Sequence, residues 1–97
     1  MRRSHAIGLL QGNVDELLRR FHVRSLALFG SVARDEARDD SDVDLLVDFD
    51  ETPDLHGFLE LKSRLEALLG RPVDLITRAS IPERKRLRVE AELVGVS

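Results

Sequence analysis

The sequence contains no cysteine, which rules out a disulfide framework and any thiolate metal site and suits the cytoplasm. Long apolar runs are also missing. No stretch approaches the roughly 20 residues of a membrane span, so no membrane contact is expected. The apolar run near the start, in MRRSHAIGLLQG, breaks at Gln11 and is too short for the h-region of a signal peptide. Positive charge is not in excess: 15 Lys and Arg against 18 Asp and Glu leave a net charge of −3. That balance argues against direct nucleic-acid binding, which wants a basic field. Repeats and low-complexity segments are absent too. With 42% hydrophobic and 34% charged residues the composition is globular, and 97 residues fit one small domain spanning 1–97. A chain of that size has little left over for a separate substrate-binding lobe.

Hydrophobic periodicity supplies the elements. From Ser4 to Phe21, Ile7, Leu10, Val14, Leu17, Leu18 and Phe21 recur at three and four, which predicts an amphipathic helix that Gly12-Asn13 can break. Ser25 to Phe29 reads as a strand, followed by a short polar helix and a charged connection from Asp35 to Asp40. A second strand is opened by Asp42 and Asp44. Thr52-Pro53 then marks a helix start with Asp54 in its first turn and a buried stripe of Leu55, Phe58, Leu59, Leu65, Leu68 and Leu69. Gly70 ends this helix, and Arg71-Pro72 prevents its continuation. Val73 to Thr77 is a third strand, short and β-branched. Ser80-Ile81-Pro82-Glu83 has capping-box spacing ahead of a last helix, and AELVGVS reads as a docking tail. The predicted fold is α+β, a small mixed sheet of at least three strands with helices packed on it.

The stretch from Leu26 to Asp50, LALFGSVARDEARDDSDVDLLVDFD, organises the rest. Side chains two apart on a strand share a face, so Asp42 and Asp44 stand side by side while Val43, Leu45, Val47 and Phe49 point into a core. Two adjacent carboxylates repel. A divalent cation resolves that conflict most directly, and Mg²⁺ is the natural candidate because it takes oxygen ligands from one or two carboxylates plus substrate phosphates. Gly30-Ser31, between a buried strand and a short helix, offers backbone N–H groups and a hydroxyl to an anion, with phosphate the natural guest. Asp74 interrupts an apolar run, which is costly unless the acid is paired or faces a metal.

Gly30-Ser31, ten intervening positions, then Asp42, one residue and Asp44 together resemble the signature of the DNA polymerase beta-like nucleotidyltransferase superfamily. The wording GSVAR and then SDVDLLVDF is similar to its minimal branch, the MNT domain proteins, over about Val23 to Thr77. The resemblance implies a minimal nucleotidyltransferase fold and transfer of a nucleoside monophosphate, AMP from ATP, to an acceptor hydroxyl with release of pyrophosphate. It also implies two Mg²⁺ ions held by Asp42, Asp44 and a third carboxylate, Asp74, and phosphates cradled by Gly30 and Ser31. The partner it implies is a helical HEPN-domain toxin that the MNT protein adenylylates as antitoxin. Two alternatives stay open: a non-catalytic antitoxin that only binds its partner, and transfer to a small molecule, for which the chain is short. With no tyrosine in the sequence, transfer to a tyrosine hydroxyl has to occur on another protein.

Other charged groups carry less. Arg34, one turn into the short helix, is placed either to help hold phosphate or to pair with a local acid. Arg84, Lys85, Arg86 and Arg88 read as a solvated helix face. Asp48 and Asp50 lie too far along the strand to share the metal of Asp42. His5, His22 and His56 show no ligand spacing.

Overall fold

In the computed structural model, which describes Met1–Ser97, the N-terminal helical stretch is two helices, α1 (Arg3–Gln11) and α2 (Val14–Arg20). The break falls at Gly12-Asn13, where the Asn13 side chain turns back to donate to the Leu9 carbonyl at 2.9 Å. Strand β1 (Val23–Phe29) follows, with an irregularity between Val23 and Ser25, and then the four-residue helix α3 (Gly30–Ala33). The charged connection after α3 is tied down: Asp35 accepts from the Arg3 amide at 2.7 Å, and Ser41 Oγ accepts from the Arg38 amide at 2.9 Å. Strand β2 (Val43–Phe49) leads through helix α4 (Leu55–Leu69) to β3 (Val73–Thr77), a single 3-10 turn (Arg78–Ser80), helix α5 (Glu83–Glu92) and β4 (Val94–Gly95).

The sheet order is β3-β2-β1-β4; β1 runs antiparallel to both of its neighbours, and β2 and β3 are parallel. A mixed sheet is therefore present as expected, with the docking tail as its fourth strand. Helix α4 makes the crossover that a parallel pair needs. One sheet face carries the main core of 18 buried residues, among them Leu26, Leu28, Val43, Leu45, Val47, Val73 and Leu75 from the strands. Leu10, Leu17, Leu61 and Leu65 of α1, α2 and α4 close over them. The opposite face carries a cluster of three, Leu46, Ile81 and Val89, under α5. No helix is long and apolar enough to cross a membrane.

Three local readings change. The α4 stripe is Phe58, Leu61, Leu65, Leu68 and Leu69, whereas Leu55 and Leu59 are 74% and 48% exposed. At 3.6 residues per turn Leu59 lies roughly 120° around the helix from Leu65, beyond the reach of the sheet. The helix also starts later than Thr52-Pro53, because the Asp54 side chain accepts from the Gly57 amide at 2.8 Å and is its N-cap. Ser80 does not cap α5. Its hydroxyl is engaged backwards, accepting from the Thr77 amide at 3.1 Å and donating to the Thr77 carbonyl at 2.9 Å, so the capping box closes the 3-10 turn. Gly70 ends α4 as expected, at φ 66°.

Candidate active site

Asp44 is the second residue of β2, opposite Phe29 of β1 on one side and in register with Asp74 of β3 on the other. Residues paired in register share a sheet face, so the two carboxylates stand side by side on the face that α5 only partly covers. Asp42 lies two residues earlier, just ahead of the strand. Asp42 and Asp74 are exposed, and Asp44 is half-buried. Burial first, then the Asp74 and Asp42 carboxylates, push Asp44 from 3.8 up to about 6, against the opposing pull of Arg34. These acids therefore lie close enough to act on one another electrostatically. They do not form a closed cage: no three acidic or imidazole groups converge into a protein-only metal site.

Gly30 follows Phe29 directly and meets two conditions that a side chain would violate. Its φ is +72°, and a Cβ there would run into the Asp44 carboxylate, 3.0 Å from Cγ and 3.2 Å from Cβ. The Gly-Ser turn and the acid of β2 thus form one continuous wall. A cavity of about 300 Å³ opens along it, with Gly30, Ser31, Arg34 and Asp44 on one side and Lys85, Arg88 and Glu92 of α5 on the other. Asp42 and Asp74 are not part of its lining. A larger depression of about 470 Å³, lined by Arg20, His56, Glu60 and Arg64 among others, lies between α2 and α4 and contains none of these acids. Chemistry, rather than size, singles out the smaller cavity.

The remaining charged residues sort themselves. Arg34 lines the cavity, and of the two roles open to it the one seen is pairing with acids: it donates to Glu36 at 3.1 Å and to Glu92 at 2.8 Å. The basic run divides, since Lys85 and Arg88 reach the cavity while Arg84 and Arg86 do not. Asp48 accepts from Ser25 Oγ and from Arg78, each at 3.0 Å, and Asp50 accepts from Arg24 at 2.9 Å, so both are paired away from the site. His56 pairs with Glu60 on the surface of α4.

Glu92 is a cavity residue that sequence reasoning passed over. It accepts from the Gly30 amide and from Arg34, and Arg88 lies one helical turn before it. Burial works against its charge, but the Gly30 N–H and the Arg34 and Arg88 guanidiniums outweigh it and hold the carboxyl below its usual range. The only hint in the sequence was the i, i+4 spacing of Arg88 and Glu92, which is ordinary on a solvated helix.

The small mixed sheet that carries these acids and the glycine turn is the fold of a minimal nucleotidyltransferase. The nucleotidyltransferase domain family matches residues 12–94, and the chain belongs to it. The chain is 48% identical over 88 residues to the protein adenylyltransferase MntA of Thermococcus cleftensis, covering 91% of this chain and 89% of that protein. Among solved structures, a minimal nucleotidyltransferase superposes with a TM-score of 0.79 at 38% identity, over 97% of this chain and 95% of the other. A chain from a toxin–antitoxin structure with AMP-PNP superposes with a TM-score of 0.72 at 25% identity, over 90% of this chain and 72% of that one.

Proposed function

We propose that this nucleotidyltransferase moves AMP from ATP to a hydroxyl of a partner protein, acting as the antitoxin that modifies and neutralises a HEPN-domain toxin in the cytoplasm. The observation that carries the chemistry is the side-by-side placement of Asp44 and Asp74, with Asp42 close by and Gly30 packed on the Asp44 carboxylate. The Thermococcus relative is named for protein adenylyltransferase activity, which supports the reaction. The AMP-PNP and the toxin–antitoxin pairing of the structural relative support the nucleotide and the partner.

The residues fit magnesium. All the donors are carboxylate oxygens, and burial together with the neighbouring Asp74 and Asp42 charges raises Asp44 to about 6, a conflict that a divalent cation relieves. The absence of a three-acid cage suits an ion that completes its shell with substrate phosphates. Asp42, Asp44 and Asp74 would hold two Mg²⁺ ions, which when bound neutralise the acids and the charge that develops on the phosphates.

Gly30, Ser31 and Arg34 hold and orient the β- and γ-phosphates in this reading. Asp74, exposed and on the strand next to Asp44, orients the acceptor hydroxyl and accepts its proton. The acceptor oxygen bonds to the α-phosphorus as the α–β bridging bond breaks, and pyrophosphate leaves.

The test is incubation with Mg²⁺ and α-labelled ATP, with and without the protein encoded beside this one, followed by mass mapping. Fast labelling of the partner alone is expected. Equal labelling of a serine or threonine of this chain by itself sinks the protein-acceptor reading; a partner that is inhibited but never labelled points to the binding-only antitoxin. A second check is thermal. Mg²⁺ with ATP raises the Tm of the wild type, and Asp42→Asn with Asp44→Asn removes the gain.

A further inference from the structure

Of the groups suited to an anion along the cavity beside Asp44, Lys85 and the Ser31 hydroxyl among them, three converge on one point: the Gly30 amide and the Arg34 and Arg88 guanidiniums. All three already hold one. The Gly30 amide donates to Glu92 Oε2 at 3.2 Å and Arg34 Nη1 donates to Glu92 Oε1 at 2.8 Å, while Arg88 Nε lies 3.5 Å from that same oxygen. The Glu92 side chain is 17% exposed, the most enclosed partner in this network.

We propose that Glu92 is an internal stand-in for phosphate, that a polyphosphate enters by displacing it, and that the displacement is felt in strand β4. This inference rests on the reading of Gly30 and Arg34 as phosphate holders and says what occupies them beforehand.

Carboxylate and phosphate compete for the same donors. One N–H carries one proton and cannot serve both at full strength together. Two anions on the same donors also repel each other in a partly enclosed cavity. Burial opposes the Glu92 charge, yet its three cationic and amide partners keep it ionised, so neutralisation is not its route out.

Arg34 does not depend on Glu92 for its orientation. Its Nε stays bound to Glu36 at 3.1 Å, so one edge of the guanidinium remains anchored while the other is freed for phosphate.

Coupling to the sheet edge follows from chain distance. Glu92 is the last residue of α5; Leu93 packs on the small cluster, and Val94 and Gly95 pair with Leu28 and Ala27. A strand of two residues holds its place weakly, and the Val96 amide, bonded to the Leu26 carbonyl at 2.8 Å, reports on it.

The experiment titrates ATP with Mg²⁺, and separately inorganic tripolyphosphate, into wild type and Glu92→Gln by calorimetry, with amide exchange at Val96 followed in the wild type. Glu92→Gln is expected to bind both probes about ten-fold more tightly, the scale of one charge-assisted hydrogen bond no longer broken on binding. Saturating ATP is expected to speed Val96 exchange several-fold in wild type, with Mg²⁺ alone having no effect. Glu92→Asp keeps the charge but shortens the reach to Gly30; it shifts affinity in the same direction and covers the case in which Glu92→Gln does not fold.

Wild type that binds neither probe overturns both this inference and the phosphate reading of the cavity. Wild type that binds, with both variants no tighter, overturns the stand-in role alone. Tighter variants with unchanged Val96 exchange overturn the coupling to β4.

Discussion

One face of the sheet lies under three helices and an 18-residue core, the other under a single helix and a cluster of three. The same strands build both, by alternation. Along β2, Val43, Leu45 and Val47 go one way, while Asp44, Leu46 and Asp48 go the other. The thickly covered face can hold no charge, and the thinly covered one can. Asp44 is enclosed enough for its acidity to weaken, yet open enough to be reached from the cavity. Incomplete burial on this side follows from α5 having only Val89 to bury within its own span.

The largest effect that separates the faces is expected from Asp74→Asn. Turnover falls by about three decades, the scale of a lost general base, while the Kd for ATP and the Tm hold, as single-turnover labelling and calorimetry will read. Lost nucleotide binding with full turnover per bound complex contradicts the assignment. Next comes the covered face: Leu65→Ala removes a fully buried side chain and costs about 2–5 kcal/mol by urea denaturation, leaving the nucleotide affinity of the folded protein unchanged.

A smaller effect, of opposite sign, is expected at Asp44. Its folded-state value of about 6 lies above the ordinary 3.8, so the folded protein binds this proton more tightly than the unfolded chain does. The associated stability is complete below the lower value and is lost as pH rises through the upper one. Asp44→Asn therefore stabilises the ligand-free, metal-free protein at pH 7.5 by about 1 kcal/mol after allowance for solvent screening, and the gain vanishes in acid. Equal stability of variant and wild type at pH 7.5 would contradict the electrostatic account. The smallest effect belongs to the rim of α5: Lys85→Ala weakens ATP a few-fold and more so at low salt, whereas Leu87→Ala, 85% exposed, changes stability by less than about 0.5 kcal/mol.

The covered face was the more legible in the sequence. Period-two alternation gives the inward set of β2, and helical periodicity gives Leu10, Leu17, Leu65 and Leu69. Leu55 and Leu59 misled because an apolar residue at a helix end or on its flank looks the same as a core residue until the sheet fixes which side faces in.

On the open face the local signals, Gly30-Ser31 and Asp42-x-Asp44, could be read directly. The partners that α5 brings from far along the chain, Lys85, Arg88 and Glu92, could not. Their side chains look like those of any solvated helix, and only tertiary placement of α5 turns them toward Gly30. The pairing of Asp44 with Asp74 is intermediate: an acid among β-branched residues asks for a reason, but register is a property of two strands, not of one.

That register has a further consequence. Val43 pairs with Val73, Asp44 with Asp74 and Leu45 with Leu75. If β3 slipped by one residue, Asp74 would turn inward and Val73 and Leu75 outward. A bare carboxylate among apolar side chains costs several kcal/mol, a large fraction of what holds a domain of this size together. The acid proposed as the proton acceptor is therefore also a proofreading mark for assembly. A sheet misaligned by one residue is rejected by the same charge that the aligned sheet displays beside Asp44.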